Sequence, residues 1–372
     1  MLGQELLRGC QRCNYKALVP LPPIRKKVIY LDQFFFSHAF RGRDERFMRA
    51  AARIKELTHL QLLVSPYSSV HEDETHQWRG HKDKTNDELM EFIKDTARGM
   101  KFAPAYQVER AQIVRAFNAY VSNAPFDDPQ NRKEAIRGEL DQWDNYFRID
   151  VGTYTSDIEL KRRLKNESVE RLIALLDDWE RSLETFEQYV AFELRESGKL
   201  YLQAFLEMAR RVAEGDLLAI TDSPIAATVV EHMLQVLPLT VQGGDRIERC
   251  IEFFRSPYFA SVPSEWISAH LFATLREMVK RGAYSNRDKA KEKIGGIFGD
   301  ISHISMYAPY CDAFVMDTPM AEIVRQPEVS LKDKYGVKVF SLRNWDELFT
   351  WLDDLEAGMS DEHKAAHAAV YP

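Results

Sequence analysis

Cysteine is scarce in this sequence: four residues in 372, too few for a disulfide framework. Cys10 and Cys13 form a single CxxC, half of a zinc site, while Cys250 and Cys311 stand alone and supply no second half; a structural zinc needs four ligands at recognisable spacing. Long apolar runs are missing too. No stretch reaches the roughly 18 residues of a membrane-spanning helix, and MLGQELLRGCQRCNYKALVP (1–20) has no apolar core of signal-peptide length. The expectation is a soluble, cytoplasmic protein with no membrane partner. Positive charge is not in excess either. The formal net charge of −7 argues against a surface that coats nucleic acid non-specifically, yet permits a local basic groove.

Several catalytic signatures are also absent. GGIFGD (295–300) has three glycines but neither a following Lys-Ser/Thr nor the spacing of a dinucleotide cradle, and reads as a loop. No serine or cysteine nucleophile of the G-x-S-x-G type occurs. HEDETH (71–76) is one residue too long for a zinc-protease HExxH; histidines five apart stand about 140° apart around a helix and cannot share one zinc.

What is present is ordinary globular material, 45% hydrophobic, 29% charged and 11% aromatic, enough for one large domain or two medium ones. An N-terminal segment with the proline-rich linker LVPLPP (18–23) occupies residues 1–25 and is expected to be poorly structured. KKVIYLD (26–32) reads as the first strand, a helix is expected from about 39 to 57, and LQLLVSP (60–66) reads as a second buried strand. From 83 to 295 the pattern is helical, with Leu164, Leu172, Ile173, Leu176, Leu183, Phe186, Val190 and Leu194 at three- and four-residue steps. TDSP (221–224) and VPSEW (262–266) read as helix starts. Strands return at AFVM (313–316) and VKVF (337–340), with a helix at about 319–324 between them and another, NWDELFTWLDDLE (344–356), after them. Residues 357–372 are expected to be a mobile tail. Strand–helix–strand units at both ends, 26–82 and 296–356, imply an α/β fold with a parallel sheet and helices on both faces, interrupted by a large all-helical insertion at 83–295.

Parallel sheets place ligands beyond the carboxyl ends of their strands. Asp32 ends VIYLD and Asp317 ends AFVMD, so neighbouring strands would bring both to one edge. The second strand leads into a segment with Glu72, Asp73 and Glu74; a helix starting near Ser69 would set His71 and Glu74 on one face. Asp300 occupies an expected helix N-cap. Each carboxylate has a structural explanation alone, but like charges gathered at one edge raise each other's pKa unless a divalent cation neutralises them. A site of oxygens without thiols suits Mg²⁺ or Mn²⁺.

VIYLDQ with Asp32, SSVHEDET with Glu74, and GDISHISMYAPYCDAFVMD with Asp300, Asp312 and Asp317 resemble the acidic landmarks of PIN-like nuclease domains. The resemblance covers roughly 26–80 and 296–356; nothing comparable is recognised in the helical block. It implies a three-layer α/β/α fold, metal-dependent phosphodiester hydrolysis and RNA as the usual substrate. Asp32, Glu74, Asp300 and Asp317 would take the family's four acidic positions, as catalytic residues and as ligands of Mg²⁺ or Mn²⁺. Glu72 competes with Glu74. Asp312 is an extra carboxylate at the far end of its strand from Asp317; His71 is a structural or supporting partner of the acids, and His303 either a helix-capping residue or a phosphate contact. Arg41, Arg43, Arg46 and Arg49, continued by Arg53 and Lys55, form either a nucleic-acid-binding stripe or a solvated helix face. Phe34, Phe35 and Phe36 read as core, or as a base-stacking surface. The expected function is a metal-dependent endoribonuclease whose helical insertion restricts access or binds a protein partner. The alternatives are an inactive PIN-like binding module and a DNA-directed nuclease.

Overall fold

The computed structural model describes residues 4–9, 12–78, 80–81, 84–126, 131–143, 158–220, 225–286, 290 and 296–371. Strands β1 (Glu5–Gly9) and β2 (Lys16–Pro20) pair antiparallel as a two-stranded hairpin. A hairpin therefore stands where a poorly structured start was expected. Its inward residues are few, Leu6 alone packing with the small cluster around Leu21, Ile24 and Trp143.

The central sheet has four parallel strands: β3 (Lys27–Leu31), β4 (Leu63–Val64), β5 (Ala313–Val315) and β6 (Lys338–Phe340), in the spatial order β4-β3-β5-β6. Side chains alternate across it because the strand period is two. Val28, Tyr30 and Phe314 face a core shared with the helices Pro263–Lys280, Ile297–Tyr307 and Thr318–Val324. Ile29, Leu31, Ala313 and Val315 face the helices Gln33–Arg41, Glu45–His59, Asn86–Thr96 and Trp345–Ala357. Both faces of the sheet are covered, which explains why its strands read as unbroken apolar runs.

The helix expected at 39–57 is two helices, broken where Gly42 takes φ +68° and its N–H returns to His38 O at 3.3 Å. Between β4 and β5 the named elements of the described residues are helices. Helices Ile158–Arg181 and Phe186–Ala213 follow the apolar steps, burying Leu172 and Leu176. Leu183 departs from the pattern: it falls in the break between them and is 98% exposed. Residues 221–224 lie outside the described residues, whereas Val262 and Pro263 do open a helix. The expected tail carries a helix, Asp361–Val370, docked through His363 Nε2 on Leu60 O at 2.8 Å and through Ala366, Val370 and Tyr371 beside Trp143. No helix among the described residues is long and apolar enough to cross a membrane.

Candidate active site

β3 and β5 are neighbours, with Leu31 opposite Val315. β3 is followed by β4 on one side of this pair and β5 by β6 on the other, so the chain diverges between them. Such a switch point opens a crevice at the carboxyl edge of an α/β sheet. Asp32 and Asp317 leave the sheet there. The N–H of Asp32 still donates to Val315 O at 3.0 Å, which carries the ladder to the foot of the pair. Each aspartate also precedes a helix: Asp32 that at Gln33–Arg41, and Asp317 that at Thr318–Val324, where Oδ1 accepts from the Met320 N–H at 2.8 Å.

Glu74 arrives on the helix Ser69–Gln77, which Ser68 caps together with His71. His71 is buried, its Nδ1 accepting from the Ser68 N–H at 2.9 Å and its Nε2 donating to Leu31 O at 2.8 Å. Burial lowers its pKa to about 4, so the ring is neutral. It is a structural tie of the acidic edge.

Asp32 is half-buried and its pKa is pushed up to about 7, first by burial and then by the negative charge of Glu74, with Asp317 adding to it. The amides of Gln33 and Phe34 pull the other way without closing a full capping hydrogen bond. Asp317 is likewise raised by burial, against the Met320 amide. No cationic side chain is among the main influences on either carboxylate.

Asp300 is not an N-cap. Gly296 takes that position and Asp300 is the fourth residue of the helix Ile297–Tyr307, so residues 297–300 of GGIFGD are helical where a loop was expected, Gly295 lying outside the described residues. The half-buried Asp300 shares a cavity of about 610 Å³ with Asp317, Tyr284, Asn286 and Glu322. Glu322, five residues after Asp317, was missed in the sequence; its Oε1 pairs with Arg343 Nη1 at 2.5 Å. The four expected acids thus form two overlapping sets. Asp32 feels the negative charges of Glu74 and Asp317, and Asp300 lines the same cavity as Asp317. Among the described residues, no group of three His, Cys, Asp or Glu side chains is arranged so that it could hold a metal ion.

The remaining candidates separate clearly. Glu72 Oε1 accepts from Lys101 Nζ at 2.6 Å, while Glu74 is the carboxylate felt by Asp32, which favours Glu74 of the two. Asp312 sits at the amino-terminal edge of the sheet, bound to Lys27, Arg132 and the Val28 N–H, and is not brought to the other acids. His303 is buried within its helix. Phe35 and Phe36 are core, with Phe34 packed edge-on against Phe47. In the basic stripe, Arg41 lies over Trp78 at 5.8 Å and Arg49 over Phe349 at 5.4 Å, Arg43 sits in the turn between helices, and Arg46 pairs with Asp44 at 2.7 Å.

No family model matches this chain, and no curated protein or solved structure matches it.

Proposed function

We propose that the chain is a metal-dependent nuclease of the PIN-like kind, hydrolysing RNA phosphodiester bonds at the carboxyl edge of its sheet. One observation carries the reading: Asp32 and Asp317 emerge together from neighbouring strands at the switch point, with Glu74 beside them and the pKa of Asp32 raised to about 7. Carboxylates so gathered destabilise a fold unless a cation relieves them. The three-layer PIN-like assignment, with residues 83–295 as an insertion, rests on the sequence resemblance together with helices on both sheet faces. RNA as substrate rests on the resemblance alone.

The donors fit a hard cation. They are all carboxylate oxygens, the chemistry of Mg²⁺ and Mn²⁺. No three of them form a closed ligand set, but Mg²⁺ keeps several waters and takes only one or two carboxylates directly. Asp32 and Asp317 would hold the ion, with Glu74 and Asp300 completing the set. A divalent cation, when bound, supplies Lewis-acid chemistry at the phosphate. Glu74 would take a proton from the attacking water as the water oxygen bonds to phosphorus, the bond from phosphorus to the leaving sugar oxygen would break in line with it, and that oxygen would take a proton from solvent; Asp32 and Asp317 would orient the attacking water by accepting its hydrogen bonds. A protein partner at the helical block belongs to the same proposal; Leu206, Leu217, Leu218 and Leu239 of that block are exposed.

A second reading is a PIN-like binding module without turnover, in which the same carboxylate edge serves recognition alone. A digest of labelled single-stranded RNA and DNA with Mn²⁺, Mg²⁺ or EDTA, alongside Asp32→Asn, separates the two. Metal-dependent cutting that disappears in the variant supports the nuclease and selects RNA or DNA. Cutting by Asp32→Asn at the parent's rate removes the proposal, and no cutting under any condition favours the binding module.

A further inference from the structure

Two hydrogen bonds join the segment carrying Asp32 to the helix carrying Glu74, and together they bracket both carboxylates. His71 Nε2 donates to Leu31 O at 2.8 Å, and Gln33 Nε2 donates to Thr75 Oγ1 at 3.0 Å. Leu31 and Gln33 are the two chain neighbours of Asp32. His71 and Thr75 lie three residues before Glu74 and one after it on the helix Ser69–Gln77. His71 can only donate from Nε2, because its Nδ1 accepts from the Ser68 N–H at 2.9 Å. Both His71 and Thr75 are buried.

Gln33 is the costly member of this arrangement. Its Oε1 is buried without a hydrogen-bond partner among the described residues. An orphaned acceptor of that kind costs roughly 1–3 kcal/mol, at least as much as the roughly 1 kcal/mol that a hydrogen bond such as Gln33–Thr75 returns. An apolar pair of the same shape would hold the two segments together at least as firmly. Stability therefore does not account for an amide facing a hydroxyl here. A hydrogen bond does supply what apolar packing lacks, a fixed direction and spacing.

We propose that Gln33 and Thr75 are positioning residues that set the spacing of Asp32 and Glu74 for a divalent cation, with the His71–Leu31 tie as the second fixed point. This rests on the proposed function of the same site. Groups that orient metal ligands from outside the coordination shell typically change affinity 10- to 100-fold when removed.

The test is calorimetric titration of Mn²⁺ into the full chain, paired with thermal unfolding in the absence of metal. The proteins compared are the parent, Thr75→Ser and the double variant Gln33→Met/Thr75→Val. The double variant should unfold at the parent's temperature or above it, while binding Mn²⁺ roughly 10- to 100-fold more weakly. Thr75→Ser keeps the hydroxyl and should bind as the parent does. Parent-like Mn²⁺ affinity in the double variant overturns this inference alone. So does a double variant that loses stability and binding together, because the pair would then be a structural contact. A parent that takes up no Mn²⁺ overturns the nuclease reading and this inference at once.

Discussion

Arg132 Nη2 stands 2.7 Å from Asp312 Oδ2, and the same carboxylate accepts from the Val28 N–H at 2.8 Å and from Lys27 Nζ at 2.9 Å. Asp312 and Asp317 flank one strand, yet their electrostatics are opposite. Asp312 is neutralised twice over, whereas no cation is among the main influences on Asp317. Asp312→Ala should therefore cost about 2–3 kcal/mol, because it leaves Arg132 and a backbone donor without their charged acceptor. Asp317→Asn keeps a competent helix cap and relieves repulsion, so its stability should stay within about 1 kcal/mol of the parent. Urea unfolding of the two variants checks the contrast; equal losses would show that the two aspartates have the same structural role.

The helical block carries a separate titrating group. Tyr201 OH donates to Glu265 Oε1 at 2.8 Å and Ser197 Oγ to Glu265 Oε2 at 2.6 Å, while Glu109 faces the same tyrosine. Burial, then the charge of Glu265, push the Glu109 pKa from its ordinary 4.5 up to about 7. Between those values the folded chain keeps a proton that the unfolded chain has released. The contribution is thus fully present below about 4.5 and is lost as pH rises through about 7. Relative to Glu109→Gln, the parent should lose on the order of 3 kcal/mol of unfolding free energy across that window. Denaturant melts at several pH values would show parallel curves if Glu109 were not responsible.

The break at Gly42 makes a smaller demand. Its φ of +68° lies in the left-handed region, and an added Cβ would meet only Met48 Sδ, at an ordinary 3.5 Å. The cost of Gly42→Ala is then backbone strain without a clash, about 1 kcal/mol. A midpoint unchanged in thermal unfolding would mean that the turn relaxes into another conformation.

How much of this was legible in the sequence depended on the range of the interactions involved. VIYL and AFVM announced buried strands because both of their faces are covered, and Asp32 and Asp317 followed directly from the strand ends. That the two strands are neighbours was a condition the sequence could not meet, since it depends on sheet order. Glu322 was missed for the same reason: its approach to Asp317 is set by how one short helix leaves the sheet. The amphipathic pattern ran unbroken through Gly42, so a single glycine had to outweigh a long periodic signal. The tail read as mobile from its place at the chain terminus; what docks it is the carbonyl of Leu60, 303 residues away from His363. Asp300 was misplaced by four residues because a helix can begin at Gly296 without a side-chain cap.

Two arginines on one helix test whether nucleic acid runs along the helix Glu45–His59. Arg53 is held by Glu56 at 2.7 Å, Asp353 at 2.9 Å and Glu356 at 2.5 Å, and is mostly buried. Its charge is committed within the protein. Arg49 only lies over the Phe349 ring at 5.4 Å, a contact that leaves its guanidinium able to meet a phosphate. Arg53→Ala should cost about 1 kcal/mol of stability and leave RNA affinity as it was. Arg49→Ala should weaken binding to single-stranded RNA of any sequence and lower the dependence of log affinity on log salt by about 0.7, the signature of one lost phosphate contact. Binding titrations at several salt concentrations give both quantities. If Arg49→Ala kept the parent's affinity and salt slope, the helix face would be a solvated surface and the path of the nucleic acid would lie elsewhere on the sheet edge.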